Sequence, residues 1–233
     1  MVLEQLNDGA QRQLQVFNDE AVKRLVFILC LPLIDGVFAT LLVTGAVSTF
    51  TNIIAVALTI FSGAGALAVL YSHADTRAEA KSIVLRASPF LIGGAALVAS
   101  VAPIYEQLFH VQRLQYAAGL ALIVIAGKLA EVDLADKFSV PAVIATGLVL
   151  SVRSPSTLQF SLVYLAPALL TSLTAIAVLY ASTYLTGRNM TMSYIQKGSA
   201  VVLLLISLSM FGVSVPSELG LAVFAVSVAA SLG

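Results

Sequence analysis

Asp35 lies inside the apolar run Leu25 to Val47, ten residues past Leu25 and between Ile34 and Gly36. Every other acid falls in the N-terminal segment, in a connection or at the end of an apolar run. A carboxylate at mid-membrane costs about 2.5–3.5 kcal/mol on insertion scales, so it belongs in a bundle interior or a wet cavity. Three chemistries are open to it. It could be an ion or proton site, its charge neutralised by a cation or by protonation. It could be a hydrogen-bonded aspartate joining two helices. It could cap a helix, because Pro32 removes an intrahelical hydrogen bond and Asp35 could satisfy the freed backbone N–H groups. Pro32 and Gly36 bracket Asp35, and together they predict a kink. A kink exposes carbonyl oxygens able to coordinate a cation.

Thr40, Thr44, Asn52, Thr146 and Gln159 are the other polar residues to watch around Asp35. Hydroxyls within helices often bond their own backbone instead. Pro141, followed by Thr146 and Gly147, sits at the position corresponding to Pro32 in a possible second half, with no acid beside it. Lys128, Glu131, Asp133, Asp136 and Lys137 form a mixed-charge cluster that reads either as a paired rim or gate, or as a solvated connection. His73 and His110 lie on opposite sides and cannot share one metal. The single cysteine, Cys30, matches no metal spacing and makes no intrachain disulfide. No HExxH, GxSxG, CxxC or phosphate loop occurs. The reading is therefore no metal, no cofactor, no catalytic residue and no enzyme, since catalysis needs a second positioned polar group near Asp35.

These residues must be held by helices. The chain has 233 residues, 59% hydrophobic and 10% charged, against about 25% charged in soluble domains. Net charge is zero, with 12 basic and 12 acidic residues, which gives no hint of a nucleic-acid partner. Long continuous apolar runs exclude a barrel, which would alternate. The expectation is an all-α polytopic bundle. Eight spans are predicted: Leu25–Val47, Asn52–Tyr71, Ile83–Pro103, Leu114–Ala130, a short Ser139–Val152, Leu158–Tyr184, Ser199–Val215 and Leu219–Leu232. With both termini inside, ten of the 12 basic residues face the cytoplasm and only Arg113 and Arg153 face out, as the positive-inside rule requires. Removing the fifth span would move Arg188 and Lys197 outside. The tyrosines sit at or near span ends, the usual belt position.

Residues 1–24 read as a retained cytoplasmic segment with an amphipathic helix, since Leu3, Leu6, Ala10, Leu14, Phe17 and Ala21 recur at helical spacing. Such a helix lies in the interface or packs on the protein or a partner. Val37-Phe-Ala-Thr-Leu-Leu-Val43 resembles Val143-Ile-Ala-Thr-Gly-Leu-Val149. That likeness divides the chain into 25–131 and 132–233, two halves of four spans in a parallel repeat.

Leu31-Pro-Leu-Ile-Asp-Gly36, continuing to Ala46, resembles the opening span of an uncharacterised haloarchaeal multi-spanning membrane-protein family, and the likeness runs on into Val140-Pro-Ala-Val-Ile144. The resemblance implies an archaeal plasma-membrane protein and no particular activity. A looser likeness is to lysine-exporter-type exporters of small solutes and cations, some of which carry Glu-x-Gly-Asp-Lys in each half. Glu131-Val-Asp-Leu-Ala-Asp-Lys137 echoes that motif, and the first half holds no counterpart.

The expected function is a small secondary transporter or ion permease, with Asp35 carrying the charge and Thr40, Thr44 and Thr146 as further contacts. The alternative is a non-transporting membrane subunit or scaffold. Expected partners are the lipid bilayer and a small cation, proton or small solute, with room for a homo-oligomer.

Overall fold

The computed structural model describes residues 19–153, 162–186 and 191–231. Those residues form helices joined by turns and loops, with one isolated antiparallel bridge between Phe109 and Val152. The stripe expected over residues 2–22 falls, up to Asn18, outside the described residues.

Helix α1 spans Glu20–Ile34. It starts where it does because the Asp19 carboxylate accepts a hydrogen bond from Ala21 N–H, satisfying an orphan donor of the first turn. Ala21, Val22, Leu25, Leu29 and Leu33 recur on one face and are buried. Helix α2, Val37–Val43, continues the same apolar run after a 47° bend. The second run is broken too. Helix α3, Phe50–Val56, capped by Thr49, passes into a π-helical turn, Ala57–Phe61, and then, after Ser62 and Gly63, into α4, Ala64–His73, with a bend of 52°. Helix α5, Arg77–Leu108, is continuous, and Thr76 caps it by accepting from Glu79 N–H. At 32 residues it is about 48 Å long by the usual rise.

Helix α6 spans Val111–Leu129, and the short α7, Asp133–Asp136, leads to α8, Val140–Ser151. Helix α9, Leu165–Ser182, ends in a 3₁₀ turn, Thr183–Leu185. Helices α10, Met192–Met210, and α11, Ser217–Ser231, complete the bundle. A single core runs through it, with Phe38, Phe61, Leu70, Leu91, Leu122, Ile144 and Leu179 fully enclosed or nearly so.

Each of the eight predicted spans holds a helix or a broken pair of helices. Among the described residues three helices, α5, α9 with its 3₁₀ turn, and α10, are individually long and apolar enough to cross a membrane, and counting each bent pair as one span gives up to five. Helices α8 and α11 are apolar but shorter.

Helix α8 nevertheless runs antiparallel to α6 along most of its length. Gly147 fits against Ala117, where a side chain on the glycine would collide with the Ala117 methyl. At one end His110 N–H donates to Ser151 O at 2.7 Å and Arg153 N–H donates to Leu108 O at 2.8 Å. At the other end Gly127 lies against Ala135.

Polar contacts of this kind sort the element ends into two sets. One set joins Asp19 to Arg86, Tyr71 to Ser182, Arg77 and Lys81 to Tyr184, and Thr191 to Ser231. The opposite set joins Leu108 to Arg153, Glu106 to Tyr164 and Gln115 to Met210. Helix α5 packs on α9, α1 and α2, and helix α10 on α6 and α11.

Candidate functional site

The first break falls at Asp35 and Gly36. Asp35 closes α1 with its N–H donating to Leu31 O at 3.0 Å. Gly36 then takes φ +82°, a left-handed conformation that glycine adopts without penalty. Asp35 Oδ1 accepts from Val37 N–H at 3.0 Å and so caps the start of α2. Asp35 is half-buried.

The kink expected from Pro32 and Gly36 together is present as the 47° bend, and the helix ends at Asp35 rather than at Pro32 itself. Pro32 lies in the last turn of α1 and the helix runs on through Ile34. There the ring removes the hydrogen bond that Ile28 O would otherwise accept, yet the helix continues past it, and the reversal of φ that ends the helix requires Gly36. Pro141 does not break its span either. It occupies the first turn of α8, where a missing N–H was never bonded and the fixed φ suits the helix.

The hydroxyls mostly turn inward on their own helices. Thr40 Oγ1 donates to Gly36 O at 2.8 Å and Thr44 Oγ1 to Thr40 O at 2.7 Å. Thr146 Oγ1 donates to Ala142 O at 2.8 Å, and its residue lines a separate open groove between α6 and α8. Thr40, Thr44 and Thr146 therefore do not gather around Asp35. Asn52 lies beside Thr49 in a small cleft elsewhere. Gln159 is outside the described residues.

Asp35 is instead brought to a cavity of about 540 Å³. Ile28, Leu31, Pro32 and Asp35, one helical face at i, i+3, i+4 and i+7, form one wall. Thr59, Ile60 and Gly63, from the second broken helix pair, form another. Ile125 and Leu129 of α6, with Phe138, Val140 and Pro141, close the apolar lining. Lys128, Asp136 and Lys137 stand exposed at the mouth.

The break between α3 and α4 contains no proline. It is built from hydroxyls bonding backward. Thr59 Oγ1 donates to Ala55 O and Ser62 Oγ to Ala57 O, both at 2.6 Å. Such turns occur often at functional positions in helices. Phe38, just past the first break, meets Phe61, just before the second, edge to face with centroids 5.0 Å apart. Among the described residues no group of three or more histidines, cysteines or acids could hold a metal ion.

Residues 91–211, just over half of the chain, match DUF5794, a family of unknown function. The chain belongs to that family. The matched segment includes the cavity mouth at Lys128, Asp136 and Lys137 and the first turn of α8, and Asp35 precedes it. No curated protein and no solved structure matches the chain.

Proposed function

We propose that this chain is an eight-span membrane protein of the cytoplasmic membrane and acts as a small secondary transporter or permease, with Asp35 as its charged binding residue. One observation carries the reading: two broken helix pairs meet beside a cavity one wall of which bears a half-buried acid. Interrupted spans with a binding site near the midplane are a recurring transporter device. From Arg24 to Asp35 the helix rises about 16 Å, roughly half of a 30 Å hydrocarbon core.

The two sets of end contacts agree with eight crossings and both termini on one side. In that arrangement Arg113 and Arg153 share the outer end with Leu108 and Ser151. Lys23, Arg24, Arg77, Lys81, Arg86, Lys128, Lys137 and Lys197 take the inner end, as the positive-inside rule favours. The segment Glu131 to Lys137, which carries the exporter likeness, supplies Asp136 and Lys137 to the cavity mouth.

The test is flux into proteoliposomes, with a proton gradient and a panel of cations and small metabolites. The reading expects wild-type flux that Asp35→Asn abolishes. Unchanged flux in Asp35→Asn removes Asp35 from the site, and no wild-type flux across the panel removes the transporter reading. A second reading is favoured by the hydrogen bond from Val37 N–H to Oδ1: Asp35 serves packing in a non-transporting subunit or scaffold.

A further inference from the structure

We infer that the Asp35 cavity binds an organic cation with an apolar body, rather than an inorganic ion or an anion; this rests on the cavity being the binding site proposed above. The argument is the composition of its walls. A small inorganic cation needs a shell of about six or more oxygens. The lining side chains are mostly apolar, with Ile28, Leu31, Pro32, Val37 and Ile60 among them, and the side-chain oxygens of the lining are those of Asp35, Thr59 and the exposed Ser139 and Asp136. Thr59 Oγ1, whose proton goes to Ala55 O, keeps lone pairs for a cation but adds only one oxygen. One carboxylate against hydrocarbon is a poor cage for a bare ion. It suits a ligand with one positive charge and a large apolar surface. The cavity's volume of about 540 Å³ is within the range that encloses small-molecule ligands.

Lys128 and Lys137 favour an anion at first sight. Both are exposed at the mouth with Asp136 beside them. Solvent and salt screen charges in that position. The half-buried Asp35 stands in a drier setting and is not screened to the same degree, so it sets the sign of charge accepted at depth. No ion pair joins Asp35 to either lysine among the described residues, which leaves its charge open to a ligand.

The probe is tetraphenylphosphonium, compared with tetraphenylborate, an anion of nearly the same shape. Binding is measured by calorimetry on the full chain in nanodiscs of zwitterionic lipid, with empty discs subtracted. Wild type is expected to bind the phosphonium at least tenfold more tightly than the borate. Asp35→Asn is expected to lose that preference and Asp35→Glu to keep it, with circular dichroism confirming that both are folded. Equal affinity for the two ions in wild type overturns the inference, as does an unchanged preference in Asp35→Asn or no phosphonium binding at millimolar concentration. The binding assay and the flux assay fail separately. Phosphonium binding without flux keeps the inference and removes transport. Asp35-dependent flux of an inorganic cation without phosphonium binding does the reverse.

Discussion

Phe38 and Phe61 stand edge to face, 5.0 Å between ring centroids and 83° between planes, and each is almost wholly buried. Phe38 is the second residue of α2 and Phe61 the last of the π-helical turn. Each ring thus follows or precedes a helix break by two residues or fewer, and the pair fixes the two breaks against one another. Phe38→Ala or Phe61→Ala is expected to cost about 3–5 kcal/mol, the range for buried aromatic truncations. The double variant should fall short of the sum by about 0.5–1.5 kcal/mol, the worth of the ring pair itself. Reversible unfolding of the purified protein in detergent measures all three. Strict additivity would mean that the rings do not couple the breaks.

Gly36 is expected to resist replacement for a backbone reason. At φ +82° an added Cβ meets Ile144 Cγ2 at 3.4 Å, an ordinary contact, so space is not the obstacle. The left-handed conformation costs a non-glycine residue about 1–2 kcal/mol. Gly36→Ala should lose that amount and Gly36→Asn less, since asparagine tolerates the region. Gly93 in α5 is the control, because nothing lies within 4 Å of its added Cβ. Gly93→Ala should be neutral or gain up to about 1 kcal/mol from helix propensity. Equal losses at both glycines would refute the backbone explanation.

Much of the helical content was legible in the sequence because apolar run length and capping residues report it directly. Asp19, Thr49 and Thr76 each precede a helix that starts beside them. The position of a break was harder to read. Pro32 advertises one but the helix runs on past it to Ile34, while Gly36, four residues further on, is the residue whose φ ends the helix. The second break left no proline at all, and its hydroxyls, Thr59 and Ser62, look the same in a straight helix. Asp35 was identifiable because a mid-span acid is rare. Its neighbours were not, because Lys128, Asp136 and Pro141 reach it only through tertiary packing about a hundred residues away in the chain. Local periodicity carries no record of that.

The α6–α8 contact gives a compensation test. A methyl at position 147 collides with the Ala117 methyl, and overpacking of this kind costs about 1–3 kcal/mol. Gly147→Ala should therefore destabilise, and Ala117→Gly combined with it should restore most of the loss. Failure of the second change to rescue the first would show that α8 does not lie against α6 through this pair.

Topology is checked by cysteine labelling in a Cys30→Ala background. Cysteines at Arg113 and Arg153 are expected to react with a membrane-impermeant maleimide from the outside of intact cells. Those at Lys128 and Lys197 should react only after the membrane is opened. Labelling of position 153 from the cytoplasmic side would show that α8 does not cross, and everything after it would invert.

The two roles open to Asp35 separate by substitution. Its Oδ1 accepts from Val37 N–H at 3.0 Å, a bond that an asparagine carbonyl can replace. An uncharged amide also escapes the desolvation that a carboxylate suffers at this depth. Asp35→Asn should therefore be at least as stable as wild type. Asp35→Ala removes the cap and should lose about 1 kcal/mol, the usual worth of a side-chain N-cap. A purely structural aspartate predicts that function, whatever assay reports it, follows this order of stability, with asparagine active and alanine impaired. A charge-bearing site predicts that both variants fail equally despite their different stabilities. Thermal unfolding and the flux assay on the same two preparations decide between them. An active Asp35→Asn leaves the cap as the only role of this residue.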